Sequence, residues 1–283
     1  LKKYTIFILI MLMAFTLATG CQGGSEDDSE GQVSGDVTNL TGEIVGGGST
    51  STKNIMEATG EEFTAINPDV IFEYNSTGSS DGVKGADEGT YAIGTASRQI
   101  KEEEKASNLT EKVFAFDGIA VIVHPDNDIQ DITIEQIAKV YKGEIVNWSE
   151  LGGEDAPIVV VSREDGSGTR GAFEEIIDFE EALTADATIG EGNGNVQSTV
   201  AGNANSIGYV SFTYIDSTVK ALTVEGIEAT TENVLNESYK VSRPFVMVYH
   251  EENLNDATKA YIEFLMSSEG QKIVESEGGI PVK

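Results

Sequence analysis

Cysteine, histidine, tryptophan and basic residues are all scarce in this chain. Its single cysteine, Cys21, leaves no internal disulfide to form. With two histidines, His124 and His250, and no clustered cysteine, a transition-metal centre has little to be built from. Lys and Arg number 18 against 48 Asp and Glu, a formal net charge of −30. Such a surface argues against nucleic acid and against anionic membrane surfaces as partners. Only one apolar run suggests a membrane, and it lies at the start of the chain. No internal repeat is visible.

That run, Tyr4 to Leu17, follows Leu1-Lys2-Lys3. A charged start and an apolar stretch of this length read as a signal peptide, too short for a comfortable membrane span. It ends in Ala18-Thr19-Gly20-Cys21, which resembles a bacterial lipoprotein cleavage box with Ala18 where Leu is preferred. A signal peptide over residues 1–20 and lipidation of Cys21 are therefore expected. Residues 21–40 are rich in Gly, Ser, Asp and Glu and read as a flexible acidic tether. Cleavage removes Lys2 and Lys3 and leaves 16 − 48 = −32.

Much of what remains is glycine and hydroxyl residues at strand–helix junctions. Pro157 to Val161 reads as a buried strand and Gly171 to Ile177 as an amphipathic helix. Between them stands Ser162-Arg163-Glu164-Asp165-Gly166-Ser167-Gly168-Thr169-Arg170. The first N–H groups of a helix lack intrahelical partners and face the positive end of its dipole. Glycine admits close approach to that backbone. Ser167 and Thr169 add hydroxyls, and Arg163 adds a planar fork of donors. The stretch is suited to cradle an anion. Screening over ~8 Å at physiological salt removes much of the long-range penalty of an acidic body, so local dipoles must hold the ligand.

Similar turns occur twice more. Glu43 to Val45 predicts a strand, then Gly46-Gly47-Gly48-Ser49-Thr50-Ser51-Thr52 leads into a helix carrying Ile55, Met56, Thr59, Phe63 and Ile66. Val70 to Tyr74 predicts a second strand, then Asn75 to Gly82 leads into a short helix. Tyr91 to Thr95 predicts a third strand, ending at Ala96-Ser97-Arg98 before a charged helix over Lys101 to Ala106. Further strands are expected at Phe116–His124, Ser206–Val210, Ala221–Val224 and Phe245–Tyr249. Helices are expected around Ile134–Tyr141, after Gly192-Asn193-Gly194-Asn195, and at Ala257–Met266. Alternation of this kind predicts an α/β fold with mainly parallel sheets, ligand sites lying at the carboxyl ends of strands.

Three local patterns suggest other chemistry. Gly78-Ser79-Ser80-Asp81-Gly82 matches a nucleophile elbow and makes Ser80 the candidate of a serine hydrolase, but neither His124 nor His250 is obviously its base. Gly46 to Lys53 lacks the Gly-Lys-Ser/Thr ending of a P-loop. Asp126-Asn127-Asp128 lacks the Gly and Glu of a calcium loop.

Taken in order, these motifs resemble the phosphate-binding proteins of bacterial ABC importers, the PstS family. The stretches are Gly48 to Ser51, Gly78 to Lys84, Ile93 to Arg98, Phe116 to Val123, Tyr141 to Trp148, Arg163 to Arg170 and Ile207 to Val210. The resemblance implies a two-lobed, type II periplasmic-binding-protein fold closing on one phosphate, with no catalysis and no cofactor. It implies lobe 1 over 41–117 plus 243–283 and lobe 2 over 118–242. Phosphate contacts carry over to Thr50, Ser51, Ser79, Ser97, Arg163, Ser167, Gly168 and Thr169. Asp165 matches the acid that pairs with the binding Arg. Position 97 holds Ser where well-known members have Asp, a form similar to the Gram-positive branch. Phosphate rather than sulfate or molybdate is thus inferred from the family. Ser97 and Asp117 are the candidates for sensing the ligand's proton. The implied setting is a lipid-anchored monomer on the outer face of the cytoplasmic membrane, serving a membrane permease.

Overall fold

A computed structural model describes residues 40–105 and 108–282. The signal peptide, Cys21 and the tether up to residue 39 lie outside the described residues. In chain order, the first part holds β1 (Gly42–Gly48), α1 (Lys53–Ile66), β2 (Val70–Ser76), α2 (Ser79–Asp87), β3 (Ile93–Ala96) and β4 (Leu109–Val123). Then come β5 (Asp131–Ile132), α3 (Ile134–Tyr141), β6 (Val159–Arg163), α4 (Gly168–Ile177), β7 (Thr188–Gly190), α5 (Gly192–Ala201) and β8 (Ser206–Ser211). The last part holds β9 (Lys220–Ala221), β10 (Thr223–Val224), α6 (Thr231–Leu235), β11 (Ser242–His250), α7 (Asp256–Met266), α8 (Ser268–Ser276) and β12 (Ile280–Pro281).

Local chemistry explains the boundaries. Ile55, Met56, Thr59 and Phe63 recur at helical spacing and form the buried stripe of α1. Asn67 ends that helix: its backbone N–H and its side chain both return to the Phe63 carbonyl, and Pro68 disfavours helical geometry before it. The charged helix expected from Lys101 is only a 3-10 turn, Glu102–Glu104. Glu104 is drawn back to Arg98, at 2.7 Å to each terminal nitrogen, and to the Lys101 N–H, so it caps the turn instead of extending a helix. The chain does not end its helices at Met266. Ser267 leaves helical geometry and its hydroxyl accepts from the Gly270 N–H, starting α8.

The main sheet runs β2-β1-β3-β11-β4-β8-β6-β7, with β9 and β12 also on β4. β1 is parallel to β2 and β3, and β6 is parallel to β7 and β8. The middle is antiparallel: β11 pairs with β3 and β4, and β4 pairs with β8. Parallel ends around an antiparallel centre are thus the form that the expected α/β fold takes. β4 joins the two ends. Its Leu109–Gly118 stretch pairs with β11 and its Ile119–Val123 stretch with β8.

Apolar packing changes sides at the same place. One set of core side chains includes Ile44, Phe63, Phe114, Phe245, Tyr261 and Leu265. A second includes Ile119, Tyr141, Trp148, Phe173, Tyr209 and Val241, and two smaller sets, around Val161 and Val210 and around Val83 and Val248, cover further faces of the sheet. The break falls between Ala115 and Ile119 on β4, and between Val241 and Phe245 at the start of β11.

Candidate functional site

Three helix starts and one strand end meet at this break. After β1, the Ser49 hydroxyl accepts from the Ser51 N–H at 3.1 Å and shapes the turn Thr50–Thr52. Thr52, Tyr74 and Thr95 lock that turn through mutual hydroxyl hydrogen bonds of 2.6 to 2.9 Å. Burial raises the Tyr74 phenol well above its ordinary value, so it stays a neutral hydroxyl. At the second junction, Gly78 takes φ +115°, a conformation open to glycine, and Ser79 begins α2. The Ser79 hydroxyl accepts from the Ser97 N–H at 3.1 Å, which ties α2 to the end of β3. At the third, β6 delivers Arg163, and the Ser167 hydroxyl caps α4 by accepting from the Arg170 N–H.

These turns touch one another across the break. The Ser51 and Thr169 hydroxyls are 2.8 Å apart, and one donates a hydrogen bond to the other. Arg163 Nη2 donates to Thr50 Oγ1 at 3.1 Å. A Cβ at position 168 would lie 2.2 Å from Ser79 Oγ and 2.8 Å from Ser97 Oγ, so only glycine fits there. Seven of the sequence-predicted residues are thereby brought together: Thr50, Ser51, Ser79, Ser97, Arg163, Gly168 and Thr169. The eighth, Ser167, stands beside them with its hydroxyl engaged as the α4 cap. A polar cleft of about 810 Å³ opens alongside, lined by Thr50, Glu164, Gly192, Asn193 and Tyr214 among others.

The expected pairing of Asp165 with Arg163 does not form. Asp165 is fully exposed and accepts from Arg170 Nη1 at 2.8 Å. Glu164 grips Arg163 instead, at 2.8 Å from Nε and 2.7 Å from Nη2. Two neighbours decide this. The Gly192 N–H at the start of α5 donates to Glu164 and holds it on the guanidinium edge. Arg170, in the first turn of α4, reaches back to the Arg163 carbonyl and takes Asp165 on the way. Partial burial pulls the Glu164 carboxyl upward, but the hydrogen bonds and charge of Arg163 outweigh it and hold it below the usual range.

Two further side chains reach the same place. Asn193 Nδ2 is 3.0 Å from both Thr50 Oγ1 and Ser51 Oγ, while its carbonyl accepts from the Ser211 N–H. Its Gly-Asn-Gly-Asn setting marked a helix start but not the direction of the side chain. Arg243 sits opposite Asp117 in the β11–β4 register and donates to its carboxylate at 2.7 Å. The same nitrogen, Nη2, lies 3.1 Å from Ser51 Oγ and 3.2 Å from Thr169 Oγ1. A charged residue at the head of the apolar strand Phe245–Tyr249 was the available signal for it. Burial pushes the Asp117 carboxyl up to about 6, although Arg243, Ser211 and the Phe212 N–H all favour its ionised form. Arg163 Nη1 and Arg243 Nε and Nη1 are buried and have no hydrogen-bond partner among the described residues.

The hydrolase pattern finds no base. Ser80 Oγ accepts from Arg98, while the rings of His124 and His250 engage the chain near Asp126 and at Asn108 and Asp87.

Comparison with known proteins gives these contacts a family. The model of the PBP superfamily domain matches residues 7–269. The phosphate-binding protein PstS of Bacillus subtilis is 30% identical, with 100% of this chain and 95% of that protein covered. PstS of Borreliella burgdorferi is 29% identical over 98% of this chain and 99% of that protein. Among solved structures, a candidate phosphate ABC transporter substrate-binding protein of Clostridium perfringens, with bound phosphate, is 55% identical. It aligns with a TM-score of 0.84 over 86% of this chain and 100% of its own. An ABC-type phosphate transport receptor from Vibrio cholerae is 32% identical, with a TM-score of 0.73 over 84% of this chain and 100% of that one. These relatives are transport receptors and binding proteins rather than enzymes. With its type II periplasmic-binding fold, this chain belongs to the PstS family of phosphate-binding proteins.

Proposed function

We propose that this chain is a lipid-anchored receptor that captures inorganic phosphate outside the cytoplasmic membrane and passes it to the permease of an ABC importer. One observation carries the binding step. Arg163 is 1% exposed, is fixed by Glu164, donates through Nη2 to the Thr50 hydroxyl, and carries a buried Nη1 with no hydrogen-bond partner among the described residues. A buried donor without a partner costs about 1–3 kcal/mol, a cost that an anion oxygen removes. Thr50, Ser51, Ser79, Ser97, Ser167 and Thr169 supply hydroxyls, and the α4 start at Gly168 supplies backbone donors and the positive end of its dipole. The 55% identical relative solved with phosphate supports the choice of anion.

In this reading the two core regions are two lobes, 41–117 plus 243–283 and 118–242, and the ligand lies between them. No bond is made or broken, and no cofactor is used. At position 97 a hydroxyl both donates and accepts. It therefore opposes a fully deprotonated anion less than a carboxylate would, and sulfate is the competitor to exclude. Cys21 carries the lipid, and the acidic tether sets the receptor's reach from the membrane.

The test is calorimetry on protein lacking residues 1–21 and stripped of anion, titrated with phosphate and then with sulfate. Phosphate heat without sulfate heat is expected. Arg163→Ala removes a hydrogen bond to a charged group and is expected to cost at least about 1.5–3 kcal/mol of binding. Equal binding of both anions would make this a general oxyanion receptor. Unchanged phosphate affinity in Arg163→Ala would remove the assigned site.

A further inference from the structure

We infer that Arg243 is a second guanidinium ligand of the bound anion, aimed into the site by Asp117. The inference rests on the proposed phosphate-receptor reading and adds a residue to it. Arg243 is 4% exposed and comes from β11, outside the three strand–helix turns and the end of β3 that supply the other contacts. It touches Ser51 on one side of the break between the cores and Thr169 on the other.

The distribution of its hydrogen bonds is lopsided. Nη2 carries two hydrogens but faces three acceptors within 3.2 Å: Asp117 Oδ2, Ser51 Oγ and Thr169 Oγ1. Nε and Nη1 carry three hydrogens between them, are buried, and have no acceptor among the described residues. An arginine present only to neutralise Asp117 would meet its carboxylate through two nitrogens, as Arg163 meets Glu164. Arg243 gives Asp117 a single nitrogen and keeps the others out of the pair.

Asp117 is well placed to hold that orientation. It lies directly across the ladder from Arg243, is fully buried, and accepts from the Phe212 N–H at 3.2 Å. Its carboxylate therefore cannot swing to follow the guanidinium. Arg163 donates to the Thr50 hydroxyl and Arg243 to that of the adjacent Ser51, so the two guanidiniums converge on one turn; the Arg163 charge lowers the Arg243 pKa, after burial itself and against the pull of Asp117. An anion between them relieves that repulsion and gives the bare N–H groups acceptors. The second contact adds a local cation to the site of a chain whose net charge is −30.

The test combines phosphate calorimetry with urea unfolding of the anion-free protein. Arg243→Lys retains a cation for Asp117 but loses the Nε and Nη1 donors. Arg243→Gln with Asp117→Asn removes both charges together and avoids a lone buried carboxylate. Each is expected to bind phosphate roughly 10- to 100-fold more weakly, the loss matching a hydrogen bond to a charged group. The phosphorus resonance of bound phosphate is expected to move in Arg243→Lys, a change that a remote structural residue would not cause. Phosphate affinity within about twofold of the parent in both variants would overturn the inference and leave the receptor reading standing. Absence of phosphate binding in the parent protein would overturn both. Affinity lost only in proportion to folding stability, with the resonance unmoved, would make Arg243 a structural residue and overturn the inference.

Discussion

Two arginine–carboxylate pairs lie at the break between the cores, and their carboxylates shift in opposite directions. Arg163 holds Glu164 through two nitrogens, at a place where the glutamate side chain keeps 25% of its surface exposed. Arg243 holds Asp117 through one nitrogen, in a pair whose side chains are 2% and 0% exposed. Glu164 falls below the usual carboxylate range, while Asp117 rises to about 6. The difference lies in water and geometry rather than in the identity of the partner. A carboxylate that keeps some solvent gains from a guanidinium, whereas full desolvation can exceed what one charged partner returns.

The largest effect should come from removing the arginine of the buried pair. Arg243→Met leaves Asp117 alone in the interior and is expected to destabilise the fold by about 3–5 kcal/mol in urea unfolding. Arg163→Met should cost much less, because Glu164 can turn to water. Equal losses would break the comparison.

Next comes the pH dependence. The folded state raises the pKa of Asp117, so its protonated form is favoured on folding. The stability from this group is complete below the unfolded carboxyl pKa and is lost as pH rises through about 6. Relative to Asp117→Asn, the wild-type protein should lose on the order of 3 kcal/mol of unfolding free energy between pH ~4 and pH ~7. Glu164 has the opposite sign. Relative to Glu164→Gln, the wild type should gain stability as pH rises through the acid range below the ordinary glutamate value. The same sign in both comparisons would show that the environments do not differ.

The smallest effects concern aim. Glu164→Gln keeps one hydrogen-bond acceptor on Arg163 but loses the charge, and should weaken phosphate binding by about 1 kcal/mol in calorimetry. Asp165→Asn, at an exposed side chain paired with Arg170, should change it by less than about 0.5 kcal/mol. The reverse order would restore the role expected for Asp165.

What was legible follows from how local each signal is. The three strand–turn–helix junctions lie in short stretches of glycine and hydroxyl residues, and their side chains meet across the break. The choice between Glu164 and Asp165 was not legible, because it depends on the Gly192 N–H and on Arg170 turning back. Arg243 was missed because its partner, Asp117, lies on another strand and the pairing exists only in the β4–β11 register. The antiparallel centre escaped for a similar reason. Alternation of strands and helices describes the two ends, whereas β4 and β11 pair with each other across 124 to 141 positions of sequence, from Ser242–Gly118 to His250–Leu109. The Glu102–Glu104 turn was misread because repeated glutamates suit a helix until an arginine draws one of them back.

The chain passes between its two cores as β4 and at the head of β11, side by side in one hydrogen-bonded ladder. Two bonded strands act mechanically as a ribbon, stiff to stretch and in-plane shear and compliant only to flexure across the face. Flexure of this ribbon is the softest path for any relative motion of the cores, and the Asp117–Arg243 rung lies within it. In such a flexure displacement grows with distance from the ribbon, so a small change of angle moves the outer rims most. A partner that touched both rims would meet that change of angle as a change of spacing.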